Sequence, residues 1–200
     1  MHSYRFAAVI ALVLAAAPAW AGAPTDQLRG HVDQVVRLLG DPALKDRPAE
    51  RHARVRKIAE DIFDYSDTAR RALGPHWNER TPQEKGEFTQ LFTDLLDRAY
   101  ISKIDLYQGE NVKWVGESAD NGEALVKTQI VTKSGQTVPV DYRMHDKDGR
   151  WLVYDVVIEG ASLVSNYRTQ FNKIVQTESY QALAERLRAR AATPAASPRR

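Results

Sequence analysis

Three carboxylates in the second half of the chain could perform acid–base chemistry. Asp141, Asp155 and Glu159 lie in segments that alternate like β-strands, and Asp155 interrupts an apolar face. General acid–base catalysis needs two such groups that converge in one pocket with separated pKa values. Buried carboxylates are more often paired with a cation, and Arg143 and Arg168 are the partners we consider for Asp155. The sequence therefore leaves open a small acid–base enzyme using Asp155 or Asp141, but it does not require one.

The histidines, the cysteine content and the short motifs of the sequence give no sign of a metal site, a thiol or serine nucleophile, or a phosphate-binding loop. The five histidines are widely spaced, and no two have the spacing of metal ligands on one helix. The chain has no cysteine, which excludes a thiol nucleophile and any disulfide. It has no Gly-rich phosphate loop after a strand and no G-x-S-x-G nucleophile elbow. We therefore predict neither a metal site nor a cofactor.

The N-terminal segment has the three parts of a secretory leader. Residues 1–5 are a short basic start, residues 6–17 are apolar, and Ala19-Trp20-Ala21 has the small-residue pattern of a cleavage site. We predict a signal peptide over residues 1–21, cleaved after Ala21. In a Gram-negative bacterium the mature chain would then lie in the periplasm.

The remaining chain divides into one domain and a short tail. Residues 22–190 have ordinary globular composition, and the whole chain carries a formal net charge of only +2. That charge is too small for a nucleic-acid-binding surface spread over the whole domain. Residues 191–200 combine small residues, proline and arginine without periodicity, which predicts a disordered basic tail.

Helical periodicity dominates the first half of the predicted domain. A first helix follows Thr25 and ends before Gly40, and further helices are predicted over residues 50–65 and 66–73. The first two helices carry apolar stripes, which are Leu28, Val32, Val35, Val36 and Leu39, and Val55, Ile58, Ala59, Ile62 and Phe63. Thr81-Pro82-Gln83-Glu84 has the pattern of a capping box, and the helix that it starts is predicted to end near Ile104.

Beyond this helix the apolar period changes from 3.6 to 2 residues. Four strands are predicted, over residues 112–117, 123–133, 136–145 and 150–159. The short turns between them, such as Asp120-Asn121-Gly122, predict an antiparallel meander. Two more helices follow, over residues 161–176 and 179–190. The predicted fold class is α+β, with helices packed against a curved four-stranded antiparallel sheet.

The fourth predicted strand is apolar on both faces, which is unusual for an antiparallel sheet. Simple alternation divides its apolar side chains into two sets, Trp151, Val153 and Val157, and Leu152, Tyr154, Val156 and Ile158. We therefore expect an apolar layer on each side of the strand. One of those layers need not be protein.

Residues 151–164, which read WLVYDVVIEGASLV, resemble the W-x-x-Y-D-x-x-x-E-G-x-S signature of the MlaC family. This family comprises the toluene-tolerance type of periplasmic lipid carriers. Other parts agree in the expected order: Arg70-Arg71-Ala72-Leu73-Gly74 with His76-Trp77, the capping box followed by Phe88 and Phe92, and Asp141-Tyr142-Arg143. The resemblance covers nearly all of residues 25–190.

The resemblance implies a soluble shuttle for phospholipid with the acyl chains held inside the domain. Such a carrier would exchange lipid with an outer-membrane lipoprotein complex and an inner-membrane ABC transporter, and so maintain outer-membrane lipid asymmetry. It implies no enzymatic activity of the carrier itself and no cofactor. A branch of the family linked to hopanoid synthesis leaves a hopanoid or another terpenoid open as the ligand.

The walls of the implied apolar cavity would come from the sheet, the long helix and the helix after the fourth strand. Any one of these side chains could instead belong to an ordinary core. The predicted lipid-binding residues are Phe92, Leu96, Tyr100, Val138, Val140, Tyr142, Tyr154, Val156, Ile158, Ala161, Leu163, Val164 and Tyr167.

Overall fold

The computed structural model describes residues 23–101 and 107–192. Within those ranges the chain forms helices and one antiparallel sheet, which confirms the predicted α+β class. The helices are α1 (Ala23–Leu39), α2 (Pro48–Ile62), α3 (Tyr65–Leu73), α4 (Pro82–Tyr100), α5 (Leu163–Thr177) and α6 (Tyr180–Ala192). The strands are β1 (Asn111–Asp120), β2 (Glu123–Val131), β3 (Thr137–Lys147), β4 (Arg150–Ile158) and β5 (Ala161–Ser162).

The limits of the described residues bear on several of the predictions made above. The predicted signal peptide, the end of α4 near Ile104 and residues 193–200 of the predicted tail lie outside the described residues. Helix α6 continues through Ala192, two residues beyond the predicted end of the domain. No helix in the described ranges combines the length and the hydropathy that crossing a membrane requires.

Helix α4 starts as predicted. The Thr81 hydroxyl accepts a hydrogen bond from the Glu84 backbone N–H at 3.2 Å, and a Glu84 carboxylate oxygen accepts one from the Thr81 N–H at 2.8 Å. Pro82 occupies the first helical position, where its missing N–H has no consequence. This reciprocal cap satisfies two N–H groups that a helix start otherwise leaves unpaired.

The boundary between α2 and α3 differs from the prediction, because the chain pairs with the sheet before α3 begins. Helix α2 ends at Ile62, and Phe63 forms an isolated parallel bridge with Val153 of β4. The Asp64 N–H donates to the Val153 carbonyl at 2.9 Å, while the Asp64 side chain caps α3 by accepting from the Asp67 N–H. The predicted helix continues as far as Tyr65, so the earlier end of α2 reflects a tertiary hydrogen bond that the local sequence does not show.

The end of α3 depends on a side chain from α5. The Arg71 carbonyl would normally accept from the residue four positions later, but that residue is Pro75, which has no N–H. The Arg168 Nε donates to this carbonyl instead, at 2.8 Å. Gly74 provides the positive φ of 61° that turns the chain away from the helix.

The sheet is the predicted meander with one short addition. Its strand order is β1-β2-β3-β4-β5 with all neighbours antiparallel, and the two-residue β5 makes it five-stranded where four strands are predicted. The turns Asn121-Gly122 and Asp148-Gly149 have positive φ at both residues, as tight hairpins require.

A β-bulge in β4 corrects the predicted faces of this strand. Met144 of β3 is opposite Val153, but the preceding Arg143 is opposite Asp155, so Tyr154 is an extra residue without a partner. Tyr142 and Val140 then pair with Val156 and Ile158. Because paired residues share a face, Val153, Val156 and Ile158 lie on the same side of the sheet. The prediction that Val153 and Val156 point in opposite directions is therefore wrong.

Two separate apolar clusters form the interior. The helical core lies among α3, α4, α5 and α6 and consists of Ala69, Ala72, Leu73, Phe88, Leu91, Phe92, Val164, Phe171, Tyr180, Leu183, Ala184 and Leu187. The sheet core joins α1 and α2 to β2, β3 and β4 and consists of Leu28, Ile62, Ala124, Val126, Met144, Trp151 and Val153.

Candidate functional site

A cavity of about 660 Å³ lies between the helices and the inner face of the sheet. Helices α1, α2 and α4 provide one wall, strands β3 and β4 provide the other, and the first residues of α5 close one end. Its volume is near the middle of the range of ligand pockets, which is roughly 300–1,000 Å³. Most of the lining side chains are aliphatic or aromatic, so the space suits an apolar guest.

Ten of the thirteen predicted lipid-binding residues line this cavity. They are Phe92, Leu96, Tyr100, Val140, Tyr142, Tyr154, Val156, Ile158, Leu163 and Val164. The bulge in β4 is what brings Val156 and Ile158 onto the cavity side together with Val140 and Tyr142 of β3.

The other three predicted residues lie elsewhere. Val138 pairs with Ile130 of β2, and Ile130 lines the cavity where Val138 does not. Ala161 is exposed in β5. Tyr167 packs in the helical cluster, with its ring centroid 5.1 Å from that of Phe92.

The prediction missed the wall formed by α1 and α2. This wall consists of Leu28, Val32, Val35, Val36, Leu39, Val55, Ile58, Ala59, Ile62 and Phe63. These are the two apolar stripes recognised in the sequence, but periodicity alone assigns them to a core. The abundance of small branched residues in these stripes was a usable signal. In the folded chain two of them, Val35 and Val36, remain only half-buried.

Burial raises the pKa of three tyrosines of the cavity wall, Tyr65, Tyr142 and Tyr154. Burial raises the pKa of Tyr142 to about 12, and the Tyr142 hydroxyl forms a hydrogen bond with Thr128. Burial also raises the pKa of Tyr65, and the nearby charges of Asp97 and Glu60 raise it further. Burial is the main cause of the raised pKa of Tyr154 as well. These phenols therefore add polarity to the wall without adding charge.

Asp155 is held by three hydrogen bonds and connects β4 to α5. One carboxylate oxygen accepts from the Arg143 guanidinium at 3.1 Å and from the Ser162 hydroxyl at 2.6 Å. The other oxygen accepts from the Val164 backbone N–H at 3.0 Å. The interpretation of Asp155 as a paired carboxylate is confirmed, with Arg143 as the partner.

This arrangement does not resemble a general base. Asp155 is among the residues that line the cavity, but both of its carboxylate oxygens already accept hydrogen bonds from protein groups. Asp141 pairs with Val157 across β3 and β4 and does not line the cavity. The two carboxylates considered as an acid–base pair therefore do not converge. Glu159 is exposed at the end of β4, where its φ is 50°.

Asp97 is a second buried carboxylate in the cavity wall. Its side chain is 4% exposed and lies 2.7 Å from the Nε of Arg56, whose own side chain is 51% exposed. Burial raises the pKa of Asp97, Arg56 opposes that shift, and the charges of Asp94 and Glu60 add to it. Among the described residues, no three His, Asp or Glu side chains are grouped so that they could hold a metal ion.

Comparison with known proteins agrees with this geometry. The toluene tolerance protein ttg2D of Pseudomonas putida is 23% identical over 160 residues, which cover 76% of this chain and 73% of the relative. The intermembrane phospholipid transport system binding protein MlaC of Haemophilus influenzae is 21% identical over 146 residues, which cover 68% of each chain.

A solved structure shows the same fold. The phospholipid-binding protein from Ralstonia solanacearum, in complex with a phospholipid, has a TM-score of 0.73 at 24% identity over 84% of this chain and 96% of that chain. The family model described as MlaC protein matches residues 29–189, which is well over half of the sequence. On that match, and with the W-x-x-Y-D-x-x-x-E-G-x-S signature in place, the chain belongs to the MlaC family.

Proposed function

We propose that this protein is a phospholipid carrier that holds acyl chains in the cavity between its helices and its sheet. The observation that carries this proposal is an apolar space of about 660 Å³ in a chain of the MlaC family. The names of the relatives add support, because one is a binding protein of an intermembrane phospholipid transport system and another is a phospholipid-binding protein.

The energetics of lipid transfer explain why such a space is needed. Two acyl chains contain on the order of 30 methylenes, and exposing each to water costs about 0.8 kcal/mol, or roughly 24 kcal/mol in total. A carrier must replace membrane hydrocarbon with an apolar wall, so that the chains never meet water. The ten predicted residues that line the cavity, together with the α1 and α2 stripes, are the side chains that we assign to this contact.

The cellular setting is part of the proposal. The leader pattern over residues 1–21 favours export to the periplasm. There the carrier would exchange phospholipid with an outer-membrane lipoprotein complex and an inner-membrane ABC transporter complex, which would maintain outer-membrane lipid asymmetry. The carrier itself would bind no cofactor and catalyse no reaction.

Extraction of the purified protein with organic solvent, followed by mass spectrometry, tests the proposal directly. We expect phospholipid at close to one molecule per protein. A hopanoid or another terpenoid in its place would assign the chain to the other branch of the family. A protein purified from its native host without lipid, and unable to take up phospholipid from vesicles, would contradict the proposal.

A further inference from the structure

Helices α2 and α4 face each other across the cavity, and each packs mainly against other helices. Helix α2 packs against α1, whereas α4 packs against α3 and α6. Both helices contribute side chains to the cavity wall, including Ile58 from α2 and Leu96 from α4. The space between them therefore separates two parts of the molecule that are each packed on their own side.

The pair formed by α1 and α2 is attached to the sheet at one end. At that end Leu28 and Ile62 belong to the sheet core. The Gln27 side chain accepts from the Trp151 N–H at 2.8 Å, and the Arg150 guanidinium donates to the Asp61 carbonyl at 2.9 Å. The opposite halves of both helices cover the cavity, with only partly buried residues such as Val35 and Leu39 on α1.

The Arg56–Asp97 ion pair joins α2 to α4 across this space. The carboxylate is almost fully buried in the cavity wall, whereas the guanidinium is half-exposed. The pair therefore extends from the cavity lining to solvent and connects the two helices through a strong polar contact.

We propose that the gap between α2 and α4 is the portal through which lipid enters and leaves the cavity, and that the Arg56–Asp97 pair is its latch. The proposal rests on the proposed function, since it concerns the route of the same lipid. Opening this gap moves α1 and α2 away from α4 about their attachment to the sheet, without disturbing the helical core. Arg56 and Asp97 are positioning residues, because they hold the helices together and need not touch the lipid.

The ion pair has the strength that a latch requires. The cost of desolvating the buried Asp97 carboxylate offsets much of its attraction to the half-exposed Arg56, so the net contribution of the pair is modest and thermal motion can open it. Removing the pair should accelerate lipid exchange about fivefold, which is about 1 kcal/mol on the barrier.

The charges around the latch make it sensitive to acid. Asp97 faces Arg56 and Glu60 on α2, Asp94 on its own helix and the Tyr65 hydroxyl on α3. Two of these neighbours are carboxylates, and together with burial they favour the protonated form of Asp97. Acidification therefore removes the negative charge that holds Arg56, and lipid exchange should become faster as the pH falls.

A reversible cross-link tests the portal. The chain has no cysteine, so the pair Arg56→Cys and Asp97→Cys can be joined by a cleavable dithiol-reactive linker without side reactions. The matched control joins Glu87→Cys and Arg188→Cys, which replace an ion pair between α4 and α6 away from the cavity. The probe is a fluorescent phosphatidylethanolamine, which is loaded first and then transferred to phosphatidylethanolamine vesicles.

We expect the cross-link between positions 56 and 97 to slow transfer at least tenfold, with full recovery after cleavage, while the control cross-link has no effect. Asp97→Asn should accelerate transfer about fivefold at neutral pH and remove its pH dependence. Transfer at the uncross-linked rate from the 56–97 cross-linked protein would overturn the portal but leave the proposed function intact. Failure of the wild-type protein to load the lipid at all would overturn both.

Discussion

The helical core and the cavity wall have similar hydrophobicity but differ in how completely they are packed. In the helical core the ring of Phe88 has no solvent exposure, and its centroid lies 5.7 Å from that of Phe171. On the α1 wall, Val35 and Val36 stay half-buried beside a space of about 660 Å³. The difference shows that the chain places interlocking aromatic residues in the helical core, and branched aliphatic residues on the α1 wall, beside the open space.

The two regions therefore contribute differently to the stability of the fold. Close packing in the helical core provides stability, because each buried ring contacts several others. The cavity wall contributes less to stability when empty, since its side chains lack contacting atoms on one side. The four predictions below compare the two regions, starting with the largest expected effect.

Phe88→Ala should destabilise the protein by about 3–5 kcal/mol, because it removes a ring from a fully packed cluster and leaves a void. Val35→Ala on the cavity wall should cost less than about 1 kcal/mol in lipid-free protein, because this side chain is only partly buried. Urea unfolding of both delipidated variants measures the difference. Equal losses would show that the two regions are packed alike.

Asp155→Asn should lower the free energy of unfolding by about 1.5–3 kcal/mol, because it weakens charge-assisted hydrogen bonds that connect β4 to α5. Phospholipid content should stay at the wild-type level, since this carboxylate is not available to a ligand. The control is Asp141→Asn, which should change stability by less than about 0.5 kcal/mol. An undiminished unfolding free energy in Asp155→Asn would contradict its structural role.

Adding volume should affect the two regions in different ways. Ala72→Leu in the helical core should cost about 1–3 kcal/mol by overpacking. Ile58→Trp should leave thermal stability nearly unchanged but reduce bound phospholipid by at least half, because the indole fills part of the cavity. Val115→Trp, at a side chain that is 52% exposed on β1, serves as the control for lipid content. Full lipid occupancy in Ile58→Trp would show that lipid does not use this part of the space.

The smallest expected effect is a difference in pH dependence between two buried carboxylates. Burial of Asp64 raises its pKa, but the Lys147 ammonium and the Asp67 N–H outweigh burial and hold the pKa below its usual value. Asp64 therefore stabilises the fold above its ordinary pKa, and this stability is lost as the pH falls through the lowered value. Asp97, with a raised pKa, has the opposite sign, because folding disfavours its charged form.

Melting temperatures between pH 3 and pH 8 check these signs. Asp64→Asn should lower the melting temperature at neutral pH, and its difference from wild type should shrink in acid. Asp97→Asn should not lower the melting temperature at neutral pH. A parallel loss in both variants would show that the cavity carboxylate is held as favourably as the one at the α3 cap.

Local signals in the sequence were enough to predict most of the fold. The capping box at Thr81 and Glu84 and the hairpin turn at Asn121-Gly122 depend on residues only a few positions apart, and the structure contains both. A boundary between α2 and α3 was predicted, but the end of α2 at Ile62 rather than Tyr65 was not, because it reflects a hydrogen bond from Asp64 to Val153. The extra strand β5 contains only two residues, which is too short for a periodic pattern.

The lining of the cavity was predictable only in part, because local patterns identify apolar faces but not the space beside them. Alternation along β3 placed Val140 and Tyr142 on one face, and both line the cavity. The wall from α1 and α2 was recognised only as two apolar stripes, because a sequence pattern reports which side chains avoid water and not whether protein fills the space beside them. Resemblance to a family of lipid carriers gave the additional reason to expect a hollow interior.

The unpaired Tyr154 has a consequence for how this interior is maintained. If Tyr154 were instead drawn into regular pairing with Arg143, every later residue of β4 would move one position along β3. Val156 and Ile158 would then pair with Asp141 and Pro139 and would leave the cavity side for the opposite face of the sheet. The greasy lumen of the molecule thus depends on one surplus residue that stays out of the ladder, and the same sequence paired one position out of register would be turned inside out along half of that strand.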